Sequence, residues 1–320
     1  MNYIVFDLEW NQSPNGKKYS HPQMPFEIIE IGAVRLDDSF QVTDTFHRLI
    51  RPSVYHWIHN SIRDVIHVNY RDLQSGVPFP EAARDFLDWC DYEYIFCTWG
   101  NQDVMEFQRN MDYYGMLHLL PPPVIYSNVQ SLFGLQFDGE ESCRSLEYAT
   151  EFLHINKEMD FHRAMNDAMF TAQVLSHISL DILKMHPTLD VYQHPESKKE
   201  EIHLQFPSFS KYLSREFISR EKAVKDREVT STRCPLCGKN ARRTVRWFTP
   251  NNRVYYSVSR CADHGAVAAN IRIRKTADEM YFADKTIWMA SGEDIDAIHR
   301  KRDAMKKKQG NCSDTEQLRK

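Results

Sequence analysis

Along the chain, apolar and polar positions sort into short runs whose period switches between two and about three and a half. Tyr3-Ile4-Val5-Phe6-Asp7-Leu8-Glu9-Trp10 is an apolar, strand-forming run broken by two acids placed two apart. Strand side chains alternate faces, so Asp7 and Glu9 project from one side. Ile28 to Leu36 and Val42 to Ile50 read as the next strands, turned at Asp37-Asp38-Ser39. Trp57, Ile58, Ile62, Val65 and Ile66 have helical spacing over 56–68. Pro80-Glu81 opens a helix to about Cys90. Tyr94 to Trp99 reads as a strand, and Gly100-Asn101 caps a helix from about Gln102 to Tyr114, with Asp103 in its first turn. Pro121 to Pro123 precede a short strand at Val124-Ile125-Tyr126, and a helix follows from about Ser145 to Leu153. A long amphipathic helix then runs to about Lys184. His162 and Asp167 are five apart, roughly 140° around a regular helix, so His162 is expected on the turn before it and Asp167 in its first turns.

Beyond His186-Pro187 the pattern weakens, and residues 186–227 read as a linker carrying a charged helix from roughly Phe209 to Lys225. Cys234-Pro235-Leu236-Cys237-Gly238 and Cys261-Ala262-Asp263-His264-Gly265 are two ligand knuckles, each ending in glycine. Thr244 to Thr249, Arg253 to Arg260 and Val267 to Arg274 read as strands around them. That is the outline of a zinc ribbon over 228–280, with Cys234, Cys237, Cys261 and His264 suited to one structural, tetrahedral Zn²⁺. Residues 281–320 read as a basic tail, helical after Ser291 and fraying into disorder.

Composition sharpens this division. The net charge of −4 combines −14 over residues 1–200 with +10 over 201–320, an acidic body and a basic appendage. No apolar run reaches the roughly 18 residues of a membrane span, and no signal peptide is visible. Seven sparsely placed cysteines argue for a reducing cytoplasm rather than a disulfide framework. The histidines His47, His56, His59 and His67 match no metal-ligand spacing and are expected in surface or packing roles.

Two carboxylates side by side on a buried strand repel each other and want a compensating cation, and an all-oxygen ligand set points to Mg²⁺ or Mn²⁺. Asp103 is a third acid placed just beyond the carboxyl end of a strand, where open α/β sheets build their sites. In the basic half, Arg242, Arg243, Arg246, Arg253, Arg260, Arg272, Arg274 and Lys275 alternate with Trp247, Phe248, Tyr255 and Tyr256. That alternation suits single-stranded nucleic acid, with Arg242, Arg243 and Arg246 toward phosphates and Trp247 and Tyr255 toward bases.

Asp7-x-Glu9, then Asp103 in Thr98-Trp99-Gly100-Asn101-Gln102-Asp103, then His162-x4-Asp167 resemble in order the three motifs of the DEDD 3′→5′ exonucleases, in the form that defines the DEDDh, RNase T-like branch. Glu27-Ile28-Ile29-Glu30-Ile31-Gly32-Ala33, Arg51-Pro52 and Val77-Pro78-Phe79-Pro80-Glu81-Ala82 match that branch in kind and order. The nearest likeness is to its RNA-trimming group, which includes the inhibitor-of-RNA-interference exonucleases and a bacterial sporulation-associated relative. It covers about residues 1–185. That group usually has Thr-Gly-Ile where this chain has Val65-Ile66-His67.

The resemblance implies an RNase H-like α/β exonuclease domain with a small β-rich zinc ribbon behind it. It implies that Asp7, Glu9, Asp103 and Asp167 hold two Mg²⁺ or Mn²⁺ ions, that His162 takes the proton of the attacking water, and that Glu9 also contacts the terminal 3′-hydroxyl. Leu8 and Trp10, beside the acids, are candidate substrate contacts. The expected substrates are 3′ ends of single-stranded RNA or DNA, RNA favoured. The competing expectations are a single-stranded DNA exonuclease and a scaffold that docks on RNA, ribosome or polymerase through the ribbon.

Overall fold

The computed structural model describes residues 2–59, 70–139, 142–156 and 160–317. The chain divides into two compact units, Met1–Tyr192 and Gln193–Lys320. The first is built on a six-stranded mixed sheet of β1 (Asn2–Gln12), β2 (Phe26–Leu36), β3 (Val42–Leu49), β4 (Tyr94–Thr98), β5 (Ile125–Asn128) and β6 (Thr188–Leu189), in the order β3-β2-β1-β4-β5-β6. β1, β2 and β3 pair antiparallel, whereas β4 joins β1 and β5 joins β4 in parallel. The helices are α1 (Tyr70–Gln74), α2 (Phe79–Cys90), α3 (Gln102–Tyr113), α4 (Val129–Phe133), α5 (Leu146–Phe152), α6 (Ala164–Ser176) and α7 (Leu180–Met185).

Alternation along β1 sets the layers. Ile4, Phe6 and Leu8 share one core cluster with Phe86 of α2 and Phe107 of α3. Tyr3 and Val5 face the other way, into a cluster with Ala168, Phe170 and Leu175 of α6. Asp7 and Glu9 continue the Tyr3–Val5 row, so the strand period delivers both acids to the α6 side. Facing Asp7 across the β1–β2 ladder is Gly32. A Cβ at Gly32 would lie 2.2 Å from the Ala164 carbonyl carbon and 2.2 Å from the Met165 nitrogen. Only glycine lets the start of α6 settle this close to the sheet, and that approach carries Asp167 to Asp7 and Glu9.

The second unit is a six-stranded antiparallel sheet of β7 (Ile202–Gln205), β8 (Phe209–Leu213), β9 (Arg242–Phe248), β10 (Val254–Cys261), β11 (Gly265–Lys275) and β12 (Tyr281–Met289), in the order β7-β8-β12-β11-β10-β9. Helices α8 (Arg220–Lys225) and α9 (Arg227–Thr230) contribute Ala223 and Val229 to a core with Tyr212, Ile271 and Ala283. Helix α10 (Gly292–Gln317) docks Ile295 and Ile298 on Val245, Val258 and Ala268.

The structure departs from several sequence expectations. Phe209–Leu213 is a strand rather than the start of a helix, because it pairs with β12 on one side and β7 on the other; only Arg220–Lys225 is helical. Residues 186–227 are therefore not a linker: Thr188–Leu189 closes the edge of the first sheet, and the rest starts the second. Nor does a tail begin at 281, since Tyr281–Met289 is hydrogen-bonded to β11 and β8, and the helix starts at Gly292. Lys285 disguised that strand. It is 3% exposed, with Nζ donating to the carbonyls of Glu228 and Ser231 at 2.6 and 3.0 Å. The single helix expected to Lys184 is two, broken after Ser176 and restarted where the Ser179 hydroxyl accepts from the Ile182 amide. Asn101 occupies the cap position of α3 without a side-chain cap bond, whereas Ser145 does cap α5. Of the helix expected over 56–68, residues 56–59 are irregular, and the remainder, with Val65-Ile66-His67, lies outside the described residues.

Gly32→Ala is expected to destabilise the chain by about 1–3 kcal/mol through overpacking against backbone that cannot yield cheaply. Thermal unfolding checks this against Gly292→Ala, where a Cβ meets nothing within 4 Å and the melting temperature should hold. Equal melting temperatures for the two variants would contradict the close approach.

Candidate active site and metal centres

Four acids come from three elements. Asp7 and Glu9 sit on β1, Asp167 in the first turn of α6 and Asp103 in the first turn of α3. Carboxylate oxygens of Asp7, Glu9 and Asp167 all lie within 4.8 Å of one another. Asp103 is 4% exposed and accepts the Leu8 amide on Oδ1 at 3.2 Å, which ties it to the strand between Asp7 and Glu9. Burial and mutual repulsion act together on the group. Asp7 is held well above the usual carboxylate range by burial first, then by Asp103, Asp167, Glu9 and Glu30. Burial and the same neighbours push Glu9 up to about 8. Burial raises Asp103 to about 7 and Asp167 to about 6, against hydrogen bonds that favour their charged forms. Such a cluster ionises fully only against added positive charge, and its donors are all oxygen. It fits divalent cations of the Mg²⁺ or Mn²⁺ type.

The sequence reading missed the support of this cluster. Glu30 faces Glu9 across the ladder, is buried, and accepts the Arg163 guanidinium at 2.9 Å and His47 Nε2 at 2.7 Å. Those two hydrogen bonds outweigh burial and pull the Glu30 carboxyl below its ordinary value. Arg163 sits at the N-cap position of α6, so its bond to Glu30 pins the helix start and sets positive charge near Glu9. His47 thus has a structural partner, as a packing role implies. Nothing local marked Glu30 and Arg163 as a pair, since 133 residues separate them; the one available signal was Glu30 two places from Gly32 on a single strand face. Glu27 was also missed: its carboxylate accepts the amides of Val54 and Tyr55, both at 2.8 Å.

His162 precedes α6 as expected, in the left-handed region at φ 65°. That conformation is uncommon outside glycine, and here it aims the His162 amide at Asp167 Oδ2, 3.1 Å away. The ring is about half exposed, with Nε2 3.9 Å from Glu147 Oε1. Leu8 does not offer its side chain to a ligand, being 3% exposed within the core; its part in the site is its amide. Trp10 follows a bulge in β1 and packs on Phe26, ring centroids 5.9 Å apart.

In the second unit the knuckle ligands converge. Cys237 and Cys261 sulfurs are 3.7 Å apart, and His264 Nδ1 lies 3.6 Å from Cys234 and 3.8 Å from Cys261. A tetrahedron with Zn–S bonds of about 2.3 Å has edges of about 3.8 Å, so the four donors match zinc. Amides of Asp263 and His264 pull the Cys261 thiol down to about 6, toward the thiolate a metal needs. The aromatic residues between the knuckles are not free. The Trp247 indole donates to the Thr230 carbonyl at 2.9 Å, and Trp247 and Tyr255 pack into the small core. Arg242, Arg243 and Arg246 remain exposed, with Arg243 donating to the same Thr230 carbonyl at 2.7 Å.

The raised carboxyls give a pH signature with a definite sign. Folded-state values near 6, 7 and 8 exceed the ordinary 3.8 to 4.5, so the folded chain binds protons more tightly than the unfolded one. The stability they contribute is complete below about pH 4 and is lost as pH rises toward about 8. In EDTA at pH 8, Asp7→Asn should therefore unfold at a higher temperature than the parent, the gap narrowing toward pH 4, and Mn²⁺ should reverse the order. Thermal scans across pH decide it; a variant that melts below the parent at pH 8 in EDTA would contradict the repulsion.

A family model described as an exonuclease of RNase T type matches residues 4–175, more than half of the chain. Among solved structures, the nuclease domain of 3′hExo, a DEDDh family member bound to rAMP, is 18% identical with a TM-score of 0.50, covering 58% of this chain and 96% of that one. A 3′-exonuclease shown in 3′-end-specific recognition of a histone mRNA stem-loop is 18% identical at a TM-score of 0.49, covering 61% and 92%. Exonuclease I of E. coli with a dA16 oligonucleotide is 14% identical at 0.42, covering 57% of this chain and 42% of that one. At 18% identity and a TM-score of 0.50, the likeness to the first is one of fold. No curated protein matches the chain.

Proposed function

This chain belongs to the RNase T exonuclease family, and from that premise we propose that it is a DEDDh 3′→5′ exonuclease that trims single-stranded nucleic acid, RNA in preference, to nucleoside 5′-monophosphates. The observation that carries the reading is the convergence of Asp7, Glu9 and Asp167 within 4.8 Å, with Asp103 tied to the strand between Asp7 and Glu9. Two divalent ions held there would supply an activated water and neutralise charge at the leaving 3′-oxygen. The chain's own residues do the rest. Glu9, beyond holding a cation, contacts the terminal 3′-hydroxyl in this reading, as the motif likeness implies. His162 accepts the proton of the attacking water, a task suited to an imidazole that is half exposed on a turn anchored to Asp167. Arg163 and Glu30 hold the start of α6, and so Asp167, in place. RNA is preferred on the motif likeness to the RNA-trimming group.

In the second unit Cys234, Cys237, Cys261 and His264 would hold one structural Zn²⁺, since four protein donors would leave no open position for chemistry. Among the described residues no helix is long and apolar enough to cross a membrane.

Digestion of 3′- and 5′-labelled RNA and DNA single strands, with Mn²⁺ and with EDTA, tests the proposal. Stepwise, metal-dependent loss from the 3′ end of RNA is expected. Asp7→Ala should abolish it, and His162→Ala should lower it at least about a hundredfold while the chain stays folded. Loss from the 5′ end, or near-full activity in both variants, would overturn the assignment, and equal digestion of DNA would remove the RNA preference.

A further inference from the structure

A cleft in the second unit lies between the end of β10 and helix α10, lined among others by Thr244, Arg260, Ala266, His299 and Arg302. The strand pairing explains its charge. Val258 faces α10, so two residues on Arg260 faces it too, and the β9 residue opposite Arg260 is Arg242, also exposed. From the helix, Ile295 and Ile298 fix the docking, and one further turn brings His299 and Arg302 over the same strand end. Lys301 flanks them, its ammonium 4.5 Å from the Tyr256 ring.

Three basic side chains therefore line one cleft, and none of its lining residues is acidic. Arg302 is the telling member. Its side chain is only 29% exposed, and among the described residues its buried Nε has no hydrogen-bond partner. That Nε has one long ion pair, 3.7 Å to Oδ1 of Asp303, itself 60% exposed. The guanidinium also contacts the imidazole of His299, with Nη2 2.9 Å from Nδ1. One long ion pair to an exposed acid and one bond to an imidazole leave most of the fork's donors and its charge open to an anion. A planar fork beside a second arginine and an imidazole is matched to a tetrahedral oxyanion.

We propose that the cleft formed by Arg260, His299 and Arg302 is a phosphodiester-binding site that grips the backbone of single-stranded nucleic acid. The choice of ligand rests on the nuclease reading, because a chain that trims such strands meets repeated phosphodiesters as its substrate. It moves the gripping surface away from Trp247 and Tyr255, whose rings are committed to the core, onto the α10 side of the sheet. Backbone phosphate contacts carry no base information, so binding here is indifferent to sequence.

The test is fluorescence anisotropy of a labelled single-stranded RNA with the full chain carrying Asp7→Asn, so that nothing is cut. Arg260→Ala and Arg302→Ala should each weaken binding about tenfold, and each should lower the slope of log affinity against log salt by about one. Lys199→Ala, an exposed charge outside the cleft, should change neither, and Arg302→Lys should recover part of the loss. Zinc content and melting temperature of each variant report its fold, and Arg260→Ala, at an exposed position, stands in if Arg302→Ala does not fold. Unchanged affinity and salt slope in folded variants would overturn the site, including where the variants lose an acidic protein partner instead. Failure of the nuclease reading would show separately, as no cleavage by the unmutated chain.

Discussion

Mutual repulsion among buried carboxylates is the constraint the first unit is built around. Asp7, Glu9, Asp103 and Asp167 would each be more stable apart and in water, yet three different elements converge to hold them together. The restraints are specific. The strand period puts Asp7 and Glu9 on one face, Gly32 admits the backbone of α6, Arg163 fastens that helix start to Glu30, and the Leu8 amide holds Asp103. The surrounding core makes the arrangement affordable, with Phe6 touching Phe86, Phe96 and Phe107 at centroid distances of 5.0 to 6.2 Å directly beneath the acids' strand. A site of this kind relieves its repulsion by binding protons, which a cation would displace.

The second unit answers a different problem, that of covering a six-stranded antiparallel sheet with few helices. Its four metal-type donors join β10 to the turn before β9, and Cys234 and Cys261 pack with Val267, Ala269 and Ile287 as part of the core. Midway along β12, Lys285 satisfies the carbonyls at the end of α9 while its ammonium lies 4.7 Å from the Tyr212 ring. Burial lowers that ammonium to about 8. The result leaves the arginines of β9 and β10 on the outside, their charge open to solvent.

Much of the site was legible because its signals are local. A two-residue spacing on a strand and an acid in a first helical turn follow from backbone geometry, a histidine five before an aspartate gained its meaning from the motif likeness, and the knuckle cysteines follow from ligand spacing. The motifs also carried the α/β, RNase H-like class, which the six-stranded mixed sheet bears out. What escaped was non-local. Glu30 reads as one more strand residue until Arg163 reaches it, and Phe209–Leu213 has no strand identity until β12 lies beside it. Tyr281–Met289 was hidden by Lys285, whose burial depends on carbonyls more than fifty residues away. Charge patterning marked the basic half correctly but could not say which aromatic rings the fold would bury.

Anomalous diffraction from crystals of the full chain grown with Mn²⁺ examines most directly whether the carboxylates form a cation site. Peaks at the manganese edge should fall among Asp7, Glu9 and Asp167, with Asp103 adjoining. A zinc-edge peak should sit separately among Cys234, Cys237, Cys261 and His264. Manganese absent from the acids, with the four carboxyls instead hydrogen-bonded to one another, would contradict the account.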